Sequence, residues 1–269
     1  MPIAMPIFNL PPEFDAGDEK LTFGSTGNAD GQWMRPGGIA IDGSGSIYVV
    51  DRLNFRMQVF DANGKFLWRR GVVGDGDGQF KNHEAIAIDG VGNVYVTDTD
   101  RIQVFDATGE FLRKWGAEGN SNGQFSNPSG IAVYGEEGRP ARKVYLADSS
   151  NNRVQVFDSE GQFLSKLGPK GSVMGRFFRT QYSKGSGDGQ LEIPEGIAVD
   201  RVGNVYVTDS GNTRVQVFDP EGEFLRKWGE VGSGEGEFLL PRGIALDVAG
   251  NVYVADSGNH RVQVYDDRG

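Results

Sequence analysis

The sequence predicts an all-β fold, a β-propeller built from four-stranded antiparallel blades. The first observation is the stretch 195–229, in which four short runs rich in Val, Ile, Phe and Tyr alternate with turn residues, as in strands joined by hairpins. The second is that this stretch recurs. Equivalent isoleucines are separated by 47, 45, 66 and 47 residues, at Ile39, Ile86, Ile131, Ile197 and Ile244. A period in the forties with four strands per unit is typical of a propeller, in which neighbouring blades bury each other's apolar faces.

The repeat resembles a known family. The motif P-x-G-I-A-V-D-x-x-G-N-V-Y-V-x-D-S-G-N-x-R-V-Q-V-F-D is almost complete at 194–219 and recurs at 241–266. It is similar to the NHL repeat, and the resemblance extends over residues 20 to 269. This resemblance implies a propeller. For function it implies protein scaffolds, RNA binders and some enzymes alike, because one fold carries many activities.

The repeat boundaries predict a tail at 1–17 and a single propeller domain at 18–269. Residues 18–36 match the end of a repeat, whereas the chain stops after a third strand. We therefore expect the N-terminal strand at Leu21–Gly24 to pair with Arg261–Asp266, completing the last blade and closing the ring without exposed edges. The repeat count predicts five blades. Six is the alternative, because the family implies six more often and the chain is long enough for six short blades.

Composition narrows the possible partners and compartments. The formal net charge of −10 disfavours binding to nucleic acid phosphates, and no apolar run is long enough to span a bilayer. No secretory signal is visible, which predicts a cytoplasmic protein if Met1 is the native start and allows an extracellular one if the chain is an excised domain. The sequence does not indicate an oligomeric state.

Five aspartates recur at the end of the second strand of each repeat and invite comparison with a ring of metal ligands. An arginine follows each of them, in the pairs Asp51–Arg56, Asp98–Arg101, Asp148–Arg153, Asp209–Arg214 and Asp256–Arg261. Because every blade needs the same turn, we interpret these pairs as structural. The sequence predicts neither a metal site nor a cofactor.

The repeats differ from one another mainly on one side of the disc, here called the upper face. It is the side on which the second-to-third-strand turns and the linkers between blades emerge. The long linker 169–185 combines cations with aromatic rings, at Arg176, Phe177, Phe178, Arg179 and Tyr182. The first blade adds Arg52 and Phe55, which lie in the turn between its second and third strands. A cationic and aromatic surface on an acidic body favours recognition of a partner, although these rings could equally fill the rim or the channel mouth.

The channel mouth is the place where an enzymatic interpretation begins. His83 replaces the proline found at this position in the other repeats. With Glu84, Glu195 and Arg242 it is expected to line the upper end of the central channel, where such groups could act as acids and bases. A metal site needs about three or four donor groups. Resemblance to lyases of the propeller class would imply several histidines in the channel that hold a metal, and this sequence lacks them.

The sequence therefore predicts a non-enzymatic propeller scaffold that binds a protein or peptide through its upper face. The first alternative is a hydrolase or lyase that uses the channel mouth near His83. The second is RNA binding, as in some members of the family.

Overall fold

The computed structural model describes residues 22–167, 185–266 and 268–269. A short parallel pair comes first, formed by β1 (Ser25–Thr26) and β2 (Gln32–Trp33). Blade 1 follows with β3 (Pro36–Ile41), β4 (Ile47–Asp51), β5 (Arg56–Phe60) and β6 (Phe66–Arg70). Blade 2 contains β7 (His83–Ile88), β8 (Val94–Asp98), β9 (Arg101–Phe105) and β10 (Phe111–Trp115). Blade 3 contains β11 (Pro128–Tyr134), β12 (Lys143–Asp148), β13 (Arg153–Phe157) and β14 (Phe163–Lys166).

Two further blades complete the array. Blade 4 contains β15 (Pro194–Val199), β16 (Val205–Asp209), β17 (Arg214–Phe218) and β18 (Phe224–Trp228). A second short parallel pair, β19 (Glu230–Val231) and β20 (Glu237–Phe238), leads to blade 5 with β21 (Pro241–Leu246), β22 (Val252–Asp256) and β23 (Arg261–Tyr265). The predicted fold class is confirmed: the chain is an all-β propeller with five blades, and within each blade the strands pair antiparallel in sequence order.

Neighbouring blades bury apolar faces against each other. Tyr48 and Met57 of blade 1 belong to the same apolar cluster as Ile86 and Val96 of blade 2, and equivalent clusters lie at the next three junctions. The pleat explains this arrangement, because successive residues of a strand point to opposite faces of the sheet. The inner strands β3, β7, β11, β15 and β21 lie side by side in that order.

The recurrent aspartates are structural, as predicted. In blade 4, Asp209 is fully buried and its Oδ2 accepts hydrogen bonds from Arg214 Nε at 2.7 Å and Gln216 Nε2 at 2.9 Å. Its Oδ1 accepts from the backbone N–H of Glu192 at 2.6 Å, while Arg214 donates to the carbonyl oxygen of Gln190 at 2.7 Å. The other four blades repeat the Asp–Arg ion pair. Each pair therefore anchors the linker that enters its blade.

The expected closure by an N-terminal strand is not seen in the described residues. Blade 5 has three strands there, and β23 pairs with β22 alone. Phe23 instead packs on Phe60 of blade 1, with ring centroids 4.9 Å apart. It occupies the place that the terminal Trp of an outer strand takes on the following blade, as Trp115 does on Phe157. The repeat register at 18–24 was thus correct for Phe23, but the described residues Thr22–Gly24 form no strand beside β23, and Leu21 lies outside the described residues.

An outer-strand cation pairs with an aspartate of the preceding linker in three blades. The pairs are Arg69–Asp30, Lys114–Asp77 and Lys227–Asp188, each at 2.6 Å. In blade 3 the corresponding residues are Lys166 and Asn122. Burial, with the charge of Arg153, lowers the pKa of Lys166 to about 8, against an opposing effect of Asp148.

We expect Asn122→Asp to raise the pKa of Lys166 toward its ordinary value of 10.5, because it adds a carboxylate at the paired position. In the wild type the pKa of Lys166 is lower in the folded than in the unfolded chain. The unfolded chain therefore binds more protons between about pH 8 and 10.5, and the free energy of unfolding rises with pH in that window. Urea unfolding at several pH values should show a smaller rise for Asn122→Asp, with Lys166→Met as the control that removes the group. Equal slopes in wild type and Asn122→Asp would contradict this assignment.

Candidate functional site

The upper face is formed by the end of each linker and the turn between the second and third strands. In blade 1 the pairing of Pro36 with Asp51 places these two segments at the same end of the sheet. The turn then hydrogen-bonds to the linker, since the N–H of Leu53 donates to the carbonyl oxygen of Met34 at 3.0 Å. The N–H of Gly258 donates to Leu239 in the same way in blade 5, at 2.7 Å. The residues just before each inner strand are therefore presented outward on rigid backbone.

One position of this face has an unusual backbone. The residue immediately before the inner strand adopts a left-handed conformation at Asn127, with φ of 52°, and asparagine tolerates this region well. Ile193 and Leu240 have the same conformation, with φ of 48° and 52°, and Arg35 has φ of 60°. A β-branched or bulky residue at positive φ is strained, and such strain is concentrated at functional sites.

The strained positions also expose apolar side chains. Ile193 and Leu240 are 45% and 51% exposed. Their neighbours on the upper face are exposed as well, and the whole group, here called the upper apolar set, consists of Met34, Leu53, Ile193, Leu239 and Leu240. The set lies on blades 4, 5 and 1. In blades 2 and 3 the residues just before the inner strand are polar, Asn82 and Asn127.

Two ion pairs connect neighbouring blades, and both involve residues that the sequence predicts to line the channel mouth. Arg52 of blade 1 donates from Nη1 to Glu84 Oε1 of blade 2 at 3.0 Å, and its Nη2 lies 2.7 Å from the other carboxylate oxygen. Arg242 of blade 5 lies 3.3 Å, Nε to Oε2, from Glu195 of blade 4. Burial raises the pKa of Glu195, Arg242 lowers it and the charge of Glu84 raises it, with a net rise. The structure thus brings four of the predicted residues together in two bridges.

The remaining predicted residues do not come together at one place in the described structure. Phe55 is partly buried and packs against the apolar cluster between blades 1 and 2. His83 begins β7 opposite Asp98, and its side chain lies outside the described residues. The cationic and aromatic linker residues Arg176, Phe177, Phe178, Arg179 and Tyr182 also lie outside the described residues, so their role in recognition stays a prediction.

The described residues offer little for metal chemistry. Within 22–167, 185–266 and 268–269, no group of three or more His, Cys, Asp or Glu side chains is placed to hold a metal ion. In the same part of the chain, no helix is long and apolar enough to cross a membrane.

Comparison with known proteins agrees with the geometry. Residues 34–60 and 238–265 match the NHL repeat family model. The chain carries NHL repeats. Residues 138–233 also match the SMP-30/Gluconolactonase/LRE-like region.

Curated proteins resemble the repeats over short stretches. The chain is 49% identical over 47 residues to Protein lin-41 of Caenorhabditis elegans, which is 18% of this chain and 4% of that protein. It is 50% identical over 46 residues to E3 ubiquitin-protein ligase TRIM71 of Bos taurus, which is 17% of this chain and 5% of that protein. The matched stretch is about one repeat long, and the chain therefore spans only a small part of either protein.

Solved propellers resemble the whole fold at low sequence identity. The streptogramin B lyase structure superposes with a TM-score of 0.57 and 13% identity, covering 86% of this chain and 68% of that chain. A protein of unknown function from Bacteroides caccae superposes with a TM-score of 0.58 and 14% identity, covering 86% and 78% of the two chains. At these identities the likeness shows the fold alone.

Sequence reasoning missed most of the upper apolar set. The turn residue Leu53 was recognisable, because it replaces a small polar residue of the repeat. The others lie in linkers, where the repeat is least regular. The available signal was an apolar residue just before the strand that begins P-x-G-I, at the position where blade 3 has Asn127.

Proposed function

We propose that this NHL-repeat propeller binds a protein or peptide partner through the upper face of blades 4, 5 and 1. The observation that carries the proposal is that Ile193 and Leu240 have exposed side chains and a strained, left-handed backbone conformation. Folding gains nothing from this arrangement, because Asn127 forms the same turn without strain. Exposed apolar residues on rigid backbone are typical of a recognition surface.

The charges of this face indicate what the partner presents. Arg35 is exposed at the same repeat position as Ile193 and Leu240, and the side chain of Arg242 is 60% exposed. Guanidinium groups beside apolar side chains suit a partner that combines apolar residues with carboxylates. The negative charge of the whole chain does not oppose this binding, since exposed charges beyond about 10 Å are largely screened at 0.1 M salt.

The test is selection of peptides from a random displayed library on the wild-type chain, followed by binding to Ile193→Asn and Leu240→Asn. Burying an Ile or Leu side chain contributes about 1.5–3 kcal/mol, so each change is expected to weaken the selected peptides at least tenfold. Asparagine suits left-handed backbone, and the melting temperature should stay equal or rise.

The matched control is Val202→Asn, which replaces an exposed valine in the β15–β16 hairpin at the opposite end of the sheet. It should leave peptide affinity unchanged. Selected peptides that bind all four proteins equally would contradict the proposal.

A further inference from the structure

A groove of about 360 Å³ opens on the upper face beside the linker that enters blade 3. It is lined by Glu118, Gly119, Asn120, Gln124, Ser126 and Asn151, with no Lys or Arg side chain among them. At the repeat position of Ser126 the other blades carry longer side chains, which are Met34, Lys81, Glu192 and Leu239. The short side chain of Ser126 therefore leaves this groove open.

The groove presents oxygen atoms that accept no hydrogen bond. In the described residues, the side chains of Glu118, Asn120 and Ser126 make no hydrogen bond or ion pair. Asn151 donates from Nδ2 to the carbonyl oxygen of Gly119 at 2.8 Å and to the carboxylate of its own blade, which fixes the orientation of its amide. Its Oδ1 is thereby left as a further acceptor. The lining thus combines one carboxylate with neutral oxygen atoms.

The equivalent groove of blade 2 holds a lysine side chain of the chain itself. Lys81 stands at the position of Ser126, and Asp75 stands at the position of Asn120. The Nζ of Lys81 lies 2.5 Å from Oδ1 of Asp75, so an ammonium group spans the groove there. The backbone N–H groups of Lys81 and Ser126 both donate to the buried aspartate of their blade, at 2.8 and 2.7 Å, which gives both grooves the same framework.

We propose that the groove of blade 3 binds a primary alkylammonium group, supplied by a lysine side chain of a partner or by a free amine. An ammonium group has three N–H donors and no acceptor, which matches a groove lined with oxygen atoms. Glu118 supplies the negative charge that Asp75 supplies in blade 2. Calcium fits less well, because it takes about six to eight oxygen ligands and the lining contains only one carboxylate.

This site goes beyond the proposed function, because it lies on blade 3 and outside the surface of blades 4, 5 and 1. It is tested by titrating the isotope-labelled full chain with Nα-acetyl-lysine N-methylamide, followed by NMR. We expect saturable shifts of the side-chain amide signals of Asn120, Gln124 and Asn151. The norleucine analogue, in which a hydrogen atom replaces the ammonium group, should cause no such shifts.

A parallel titration with n-butylamine distinguishes the two sources of the ammonium group. Equal affinity for both compounds shows that the groove recognises the amine alone, as for a free amine. Tighter binding of the lysine compound shows that the peptide groups beside the amine are recognised as well, as for a lysine side chain of a protein.

Two variants and one control assign the shifts to the groove. Glu118→Gln should weaken binding of the lysine compound about fivefold, the upper range for an exposed ion pair. Ser126→Lys places the side chain found in blade 2 in the groove and should abolish the saturable shifts. Glu230→Gln removes an exposed carboxylate from the linker of blade 5 and should leave binding unchanged. Melting temperatures close to that of the wild type confirm that all three fold.

Three results would overturn the proposal. They are amide signals of the wild type that do not shift with the lysine compound, equal shifts with the norleucine analogue, and undiminished binding by Ser126→Lys. Ile193→Asn, which tests the peptide surface, should bind the lysine compound as the wild type does. Failure of the amine site and failure of the proposed function are therefore measured separately.

Discussion

Asp209→Ala is expected to reduce the free energy of unfolding by about 3–5 kcal/mol, the range found when one partner of a buried ion pair is removed. The carboxylate is fully buried, and Arg214 is only 7% exposed. Burial raises the pKa of Asp209 although hydrogen bonds from Glu192 N–H, Asn212 and Arg214 lower it. Keeping the buried carboxylate ionised therefore costs free energy. The hydrogen bonds from its donors offset this cost. Without Asp209, the guanidinium remains buried without its anion.

Asp256→Ala is the matched control for this change. Asp256 accepts the same set of hydrogen bonds in blade 5, but the side chain of its partner Arg261 is 29% exposed. Water can solvate that guanidinium when the carboxylate is removed, so the loss of stability should be smaller. Urea unfolding of both variants at pH 7 measures the difference. Equal losses would show that burial of the ion pair does not determine its contribution.

Gly196→Ala is expected to be the second most damaging change, with a loss of about 1–3 kcal/mol from overpacking. The inner strands β15 and β21 approach closely at this point. Thr208 Oγ1 accepts from the N–H of Gly196 at 2.7 Å and donates to the carbonyl oxygen of Arg242 at 2.6 Å. A methyl group on Gly196 would overlap that carbonyl oxygen, and backbone atoms cannot turn aside as a side chain can. Blade 2 has Ala85 at the equivalent position. Two neighbouring inner strands can therefore lie far enough apart to accept a methyl group there.

Gly243→Ala is the control for this steric argument. It is the same substitution at the same repeat position, but the nearest atom to its new methyl group, Ala255 Cβ, would be 3.6 Å away, which is ordinary contact. Its stability should stay within about 0.5 kcal/mol of the wild type, as for most surface changes. Thermal unfolding compares the two substitutions. A midpoint lowered equally by both substitutions would contradict the close approach at Gly196.

The buried Asp–Arg pairs illustrate what sequence reasoning could predict about this protein. Asp209 and Arg214 are five residues apart in a turn that every repeat contains, so their pairing follows from local geometry and from repetition. Strand positions and blade number follow in the same way, because each blade forms from one continuous stretch of chain.

Contacts between blades were harder to predict from the sequence. Glu84 and Arg52 are 32 residues apart, and their ion pair depends on how two blades pack. The left-handed conformation of Ile193 could not be read from a linker that departs from the repeat.

The junctions between blades show most clearly what the tertiary structure alone decided. The sequence by itself determined the repeating sheets, their apolar faces and the turns that connect them, since these depend on neighbouring residues. How each blade meets the next depends on the rotation between successive blades. That rotation results from side-chain packing between stretches distant in the chain, and a repeat pattern does not contain it.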